Sequence, residues 1–596
     1  MAQVQLIEAT GYAQARSTSS LAIGTGTKVW TLARHIAFAT GMTVVADAGS
    51  GNSMAGAVTA YDPSTLALTL DVDTVNGSGT HAAWVIGGVR TIRAATGRGY
   101  ARTANFYEPR VAGRVNVERR LNRDGVTFGA SEIGFGSIEL INTGYNAGEE
   151  ANPLDELRTL AWDGRPLKVL VGDDGAAYGT FETLIDGTAE KLISPARSAA
   201  RWTWRDPMAL LDVPILSERF GGTTTGASSG SDGGAEMAGI RKQLLLGTVA
   251  QVEPQLANAS KQLYLVSLSQ VAISSVTIAG ATQTAGTAHG SLAALIAATV
   301  TSGTYDSYTG ADGTWIRAGS AVTGPIRVTA SEGATSADRT IAQLWKRLLT
   351  DWTALSPTVS AGDVTALDTA QDGEAGILIA GDLTIRQAAD FLAGSAGADY
   401  WRTVAGTWRI AQLAAPTGTP DLELRLLRPG GRARAAEVAI LDFAPVDRDL
   451  LPPSQVSLRH SRYAPQSRTE LAGIALEAAA DLGAEWRQAD YPAEPDETVL
   501  ARHLLAEPRS FDSAFAAAAP AAEEAERRHT LLAGGLFPLD VTVPLSEVAG
   551  VLELAAVVRV TMDRHQLDDG PLFSLRGYRT DRSSDTVVLE LLGFGL

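Results

Sequence analysis

The sequence predicts a mainly β fold with α+β parts, divided among several domains. Three observations lead there. Short runs rich in β-branched and aromatic residues recur along the chain between turn residues. Glycine is abundant, 61 of 596 residues, as many tight turns require. Helical periodicity is confined to a few stretches. A length of 596 residues suggests about four domains. The 45% apolar content suffices for real cores, and 19% charged residues argue against disorder.

Residues 1–90 read as a small β module. "KVWTL", "MTVVA", "AGAVTAY" and "LALTLDVDTV" are strand-like, "YDPST" is turn chemistry, and "NGSGT" is a second break. Residues 91–220 read as a second domain with the strands "RVNVERRL", "GSIELIN", "RPLKVLVG", "FETLIDGTAEKL" and "AARWTWRD". A helix is expected within it at "NPLDELRTLAWDG". Asn152 would cap it, Pro153 fits its first turn, and Gly164 fits the left-handed exit. Leu154, Leu157, Leu160 and Ala161 would form its apolar stripe.

Residues 221–334 open with "GGTTTGASSGSDGGAEMAG", which reads as a flexible linker, followed by more strands. Residues 335–436 should hold two helices and an aromatic hairpin. Ile341, Leu344, Trp345, Leu348, Leu349 and Trp352 share one face of the first helix, with Thr335 and Asp338 as a capping box. The second has Thr384 and Gln387 as its box and Gly394 as its exit, and "DYWRTV-AG-TWRIAQL" is the hairpin. Residues 437–596 contain one long helix from Pro520 to Gly534, with Glu523 facing Arg527 and Glu524 facing Arg528. A closing meander runs through "AVVRVTM", "LFSLRGYRT" and "TVVLELLG", turned by "DRSSD".

Charge and composition narrow the chemistry. A net charge of −17 argues against a wrapped nucleic-acid partner, which requires clustered Lys and Arg, and suits DNA that slides past without sticking. With 0 cysteines there are no disulfides, thiolate zinc sites or cysteine nucleophiles. The start, "MAQVQLIEATGYAQAR", shows no signal-peptide pattern, and no run approaches a membrane span of about 18 apolar residues.

Local motifs name no reaction. "GTGTK" has Lys28 after Thr27 where a phosphate loop needs glycine, and Val29 where it needs a hydroxyl. Gly24 and Gly26 lack the third glycine of a dinucleotide loop, so they read as a turn. "GASSG" at residues 226–230 matches a nucleophile elbow without its apolar flanks. His35, His81, His289, His460, His503, His529 and His565 form no metal-binding spacing, and His529 reads as a helix C-terminal residue favoured by the dipole. Asp173-Asp174 and Asp568-Asp569 read as turns. No catalytic, cofactor or metal site is expected. Trp30, Tyr61 and Trp84 are the candidates for a glycan platform, with core packing as the plainer reading.

Two resemblances add to this. "SLAIGTGTKVWT", "GMTVVA" and "NGSGTHAAWVIG" resemble a small β module of tailed-bacteriophage tail and fibre proteins, in which those glycines turn the chain. From about residue 91 on, the chain resembles tail hub, or tail-tip, proteins of siphophages and gene-transfer-agent particles. An ordered series carries that likeness: "FYEPRVAGRVNVERRL", "TFGASEIGFGSIELIN", "LDELRTLAWDGRPLKVLVG", "LLLGTVAQVEPQLAN", "LTIRQAADFLAGSAGADYWRTVAGTWRIAQL" and "VRVTMDRHQLDDGPLFSLRGY". It is weakest over residues 269–333 and 466–516.

The resemblance implies tail-tube-like β domains within residues 91–220 and 437–596 and a non-enzymatic homotrimeric ring at the distal end of a virion tail. It implies distal tail or tail-tube proteins, a tape-measure protein and a tip fibre as partners. Genome DNA would pass transiently through the lumen, with no stable nucleic-acid or membrane binding, and assembly would occur in the host cytoplasm. Two other classes remain at this stage: a receptor- or glycan-binding fibre component, and a tail-associated cell-wall hydrolase.

Overall fold

The computed structural model describes residues 3–101, 105–121, 128–129, 134–144, 152–225, 230–319, 322–353, 357–427, 437–446, 451–473 and 479–595. The chain is mainly β and falls into two compact units. The first comprises residues 1–119, 133–210 and 579–586; the second comprises residues 120–132, 211–578 and 587–596.

The first unit is organised by one ten-stranded sheet. In spatial order its strands are Phe135–Ile141, Ala199–Arg205, Glu182–Ala196, Arg165–Asp173, Gln3–Ser17, Trp84–Ala95, Thr43–Gly49, Asn52–Asp62, Ala67–Asn76 and Gly26–Thr31. Gln3–Ser17 is the element that joins its halves. Its first half pairs with Arg165–Asp173, and residues 6–17 pair with Trp84–Ala95. The expected module of residues 1–90 and domain of residues 91–220 therefore share a sheet, and Trp84–Ala95 runs straight through the expected boundary. Burial along Gln3–Ser17 fits its place: residues 4–7 are buried on both faces, and further on Ala13 and Ala15 are buried while Gln14 and Arg16 are exposed, the alternation of a strand with one packed face.

Two glycines are fixed by close approach. A Cβ on Gly56 would lie 2.0 Å from the Asp71 carbonyl oxygen, at an irregularity in the pairing of Asn52–Asp62 with Ala67–Asn76. A Cβ on Gly11 would lie 2.9 Å from Leu160 Cδ1. The helix expected at residues 152–164 is only a 3-10 turn, Asp155–Thr159, preceded by Leu154 rather than capped by Asn152. Asn142 does the capping from another strand end: its Oδ1 accepts the Leu154 N–H at 2.8 Å and its Nδ2 donates to Asp155 at 2.9 Å. Gly164 does take a left-handed φ of +70°, in the turn into the next strand.

Among the described residues the second unit contains five sheets of three or more strands, together with helices. One five-stranded sheet runs Ala281–Thr282, Val271–Ile278, Ile326–Glu332, Leu244–Val252, Gly376–Ile379; another runs Gln255–Asn258, Leu263–Ser267, Gly313–Ala318, Thr304–Gly310, Thr284–His289. Within Leu263–Ser267, Tyr264 and Val266 enter a core with Leu245, Ile316 and Val328, while Leu263 and Leu265 enter another with Phe220, Leu295 and Trp315. Alternation thus fills both faces of this strand. The glycine-rich stretch before it is not loose where described. Asp232 accepts from the Gly221 N–H and the Thr223 hydroxyl at 2.9 Å each, and Gly222 and Thr224 donate to the backbone of residues 232 and 233. Residues 226–229, and with them most of the "GASSG" motif, lie outside the described residues.

The two expected helices are Ile341–Asp351 and Ile385–Ser395. Thr335 and Asp338 do form a capping box, but on a separate 3-10 turn, Ser336–Arg339; Thr340 caps the α-helix itself. Ile341, Leu344, Trp345, Leu348 and Leu349 are buried, while Trp352 ends the helix half-buried. The Thr384–Gln387 box forms, and the exit falls at Gly397, with φ +60°, rather than at Gly394. The hairpin is Ala398–Arg402 with Thr407–Gln412, and Tyr400 packs edge-on against Trp345, centroids 5.7 Å apart.

The long C-terminal helix is Ala518–Ala533, beside a three-stranded sheet of Arg487–Tyr491, Val456–His460 and Arg509–Asp512. The expected surface ion pairs are partly rearranged and buried. Arg528 reaches Glu524 at 2.7 Å, as spaced, but Arg527 also turns to Glu524, at 2.7 Å, rather than to Glu523. The meander strands Val557–Thr561, Leu572–Asp581 and Thr586–Phe594 stand together in an eight-stranded sheet. In the turn between the last two, hydroxyls of Ser583 and Ser584 hold the Asp581 carboxyl down to about 2.

Candidate assembly interface

The residues singled out in the sequence are placed as follows. Trp30 and Trp84 meet edge to face, centroids 5.9 Å apart, and both are core: Trp30 is 0% and Trp84 2% exposed. The Trp84 indole N–H donates to the carbonyls of Ser19 (2.9 Å) and His81 (3.1 Å). Tyr61 is half-buried at another end of its strand, its hydroxyl 2.9 Å from His35 Nδ1 and accepting the Ile36 N–H. A sugar stacks on an open ring face, and neither tryptophan offers one. Alternation explains their burial, which matches the core-packing reading: Trp30 and Trp84 sit at inward positions of their strands.

The "GTGTK" loop is a strand start. Gly26 has φ +88°, and Lys28 stands within Gly26–Thr31, the edge strand of the ten-stranded sheet. A lysine there hinders further strand pairing, because adding a strand would bury its charge. The opposite edge, Phe135–Ile141, is covered in part by residues 110–112: Ala112 donates to the Glu139 carbonyl at 2.9 Å, and Ile141 donates to that of Arg110 at 2.6 Å. Both ends of this sheet are therefore guarded.

Titratable groups are absorbed into structure. His529 was expected to favour the helix dipole as a charge. Burial instead holds its pKa below the usual histidine value, against the pull of Asp496 3.6 Å away, which disfavours the charged ring. His460 is likewise lowered by burial, and Arg487 adds to it. Glu8 accepts hydrogen bonds from the hydroxyls of Tyr107 and Tyr178, and burial followed by that carboxylate pushes Tyr107 far up. Among the described residues no group of three or more His, Cys, Asp or Glu side chains is arranged to hold a metal ion. Among them, too, no helix is long and apolar enough to cross a membrane.

Two features of the second unit stand open. One is a cavity of about 560 Å³ lined by residues of Leu244–Val252, by Gly376, Ile377 and Leu378 of an edge strand, and by residues 461–465 and 513–516. The other is a turn whose tip is Leu504 and Leu505, 85% and 78% exposed. Sequence reasoning found neither. The Leu-Leu pair was readable as two apolar residues between a helix end and "AEP", while the cavity is assembled from segments far apart in the chain.

No protein-family model and no curated protein matches the chain. Solved structures do resemble it in part. A tail protein from Neisseria meningitidis MC58 is 12% identical, with 80% of this chain and 90% of that one covered and a TM-score of 0.35. The prophage MuSo2 43 kDa tail protein from Shewanella oneidensis is 11% identical, with 83% and 97% covered and a TM-score of 0.38. A chain of a native gene transfer agent virion is 13% identical, with 65% and 92% covered and a TM-score of 0.32. Likeness at this level fixes no shared fold, and the functional reading below rests on the sequence and on the surfaces just described.

Proposed function

We propose that the chain is a structural tail-tip, or baseplate hub, protein of a tailed bacteriophage. In this reading three copies form a ring that closes the distal end of the tail tube and joins it to a tip fibre, and DNA crosses its lumen at ejection. The observation that carries the reading is the ordered series of hub-like segments from about residue 91 to residue 578. The net charge of −17 fits a lumen that DNA traverses without adhering. Its partners would be distal tail or tail-tube proteins, the tape-measure protein and the tip fibre, with assembly in the host cytoplasm. No catalytic step is assigned to it.

The test is imaging of particles carrying a label at residue 1. Label at the distal tail end, in copies divisible by three, is the expected result. Label elsewhere on the particle overturns the reading, and clearing of host peptidoglycan by the purified chain overturns its non-enzymatic part. The burial of Trp30 and Trp84 supports this reading over the fibre alternative, whose sugar would need an open ring face.

A further inference from the structure

We propose that Leu504 and Leu505 of one copy insert into the cavity beside Tyr463 and Phe515 of the next, making a head-to-tail contact between copies of this chain. It supplies the contact by which the ring proposed above would close, and it rests on that reading only for the number three.

Turn tips are normally polar, and two leucines at one tip leave apolar surface in water that nothing in their own unit covers. The cavity is the complementary shape. About 560 Å³ lies in the range of sites that hold a small molecule, about 300–1,000 Å³, and is ample for two leucyl side chains. Its wall is largely apolar, from Val249, Ile377, Phe391, Tyr463 and Phe515.

Placement makes the contact intermolecular. The turn precedes Arg509–Asp512, and the cavity takes residues 513–516 directly after that strand and residues 461–465 directly after its parallel neighbour Val456–His460. Knob and socket thus lie at opposite ends of one small sheet. The five residues of Val456–His460 alone span about 16 Å, at about 3.3 Å per residue. Two complementary patches at opposite ends of a body produce a heterologous contact, which closes into a ring when the rotation permits.

Charge agrees with shape. Exposed Arg502 and Glu507 flank the leucines. At the cavity mouth stand Arg462 and Glu485, 3.4 Å apart with their side chains 65% and 52% exposed. Glu507 meeting Arg462, and Arg502 meeting Glu485, would surround the buried leucines with paired charge, an apolar centre inside a polar rim.

The chain carries no cysteine, which makes the test clean. A full-length Leu505→Cys, Ala464→Cys double variant has two thiols, and a disulfide needs their Cα atoms within about 7 Å, too close for opposite ends of the sheet. Mild oxidation is expected to give covalent multimers; a double variant that stays at single-chain mass overturns the contact. In sedimentation, a Leu504→Asp, Leu505→Asp variant and an Ala464→Trp variant should each self-associate at least tenfold more weakly than the parent chain. Their mixture should form pairs, because one intact knob still finds one intact socket. Unchanged association of both variants, or no pairing in the mixture, overturns the proposal, as does cross-linking in whole particles to a different protein only. Covalent species that stop at three chains support contact and ring together. Species that close at another number support the contact and overturn the trimer. A parent chain that forms trimers while the double-cysteine variant gives no cross-link supports the ring and overturns the contact.

Discussion

The sheet around Trp30 and Trp84 and the helix around Glu524 and Arg528 perform the same task, burying one face of an element, with opposite chemistry. In the first unit the packed face is hydrocarbon and aromatic: Trp30, Trp84, Leu68, Leu70 and Ile86 are all buried. In the second, Glu524 and Arg528 are fully buried on Ala518–Ala533. Glu524 takes Arg527, Arg528 and Gln371 as partners, and Arg528 also donates to the carbonyls of Gly394 (2.6 Å) and Ser395 (2.9 Å). The Arg528 guanidinium lies over Phe128 and Phe511, 4.4 and 5.0 Å from their centroids. A hydrocarbon core loses roughly what is removed from it. A buried ionic core tolerates loss of one partner badly, because the other is left charged and dry.

Perturbing each region sharpens that contrast. The largest effect is expected from Arg528→Ala, which takes one of Glu524's two arginine partners, unpairs two carbonyls and empties a fully buried space: about 3–5 kcal/mol of local stability, read by hydrogen exchange in the second unit. Arg528→Met keeps most of the volume but restores no donor, so a comparable loss is expected; a much smaller one would show that packing rather than charge sets the effect. Trp30→Ala should cost about 3–5 kcal/mol in the first unit only, by cavity formation, with less collateral loss of polar contacts. Exchange protection that falls in both units would break the separation drawn here. Gly56→Ala should cost about 1–3 kcal/mol, since its Cβ meets backbone rather than a movable side chain. Thr384→Ala should cost about 1 kcal/mol through the lost cap on Ile385–Ser395, visible as faster exchange in its first turn.

The smallest effect is that of mild acid. Burial lowers the pKa of His460 and of His529, both in the second unit. Their stabilisation is complete above the ordinary histidine value of 6.5 and is lost as pH falls through the lowered folded values. Glu524 has the same sign lower down. Burial alone would raise it, but Arg528 and Arg527 hold it below 4.5, so its contribution fades only below that pH. Between pH 7 and 5 the second unit should therefore lose exchange protection before the first, and an equal loss in both would remove this distinction.

Much of the fold was legible locally. The strand runs, the Thr384–Gln387 box, the aromatic hairpin and the Asp581 turn each depend on residues within a few positions of one another. The misread elements depended on distant partners. Asn142 took over the cap expected from Asn152, Thr340 supplied a second start inside what read as one helix, and burial disfavours the charged form of His529 that the helix dipole would favour. Of the candidate surfaces, Leu504 and Leu505 were visible as letters, but their exposure was not.

The sequence by itself determined the β-rich class, the cysteine-free chemistry, many turns and the face that Ile341–Asp351 buries, because periodicity, capping and left-handed glycines are short-range constraints. Only the tertiary structure decided that Gln3–Ser17 joins two expected modules into one sheet, that Trp30 and Trp84 are core, and that a socket opens after Val456–His460 and Arg509–Asp512. Strand order, burial and cavities come from pairings between residues far apart in the chain, and no local pattern encodes which distant edge a strand will find.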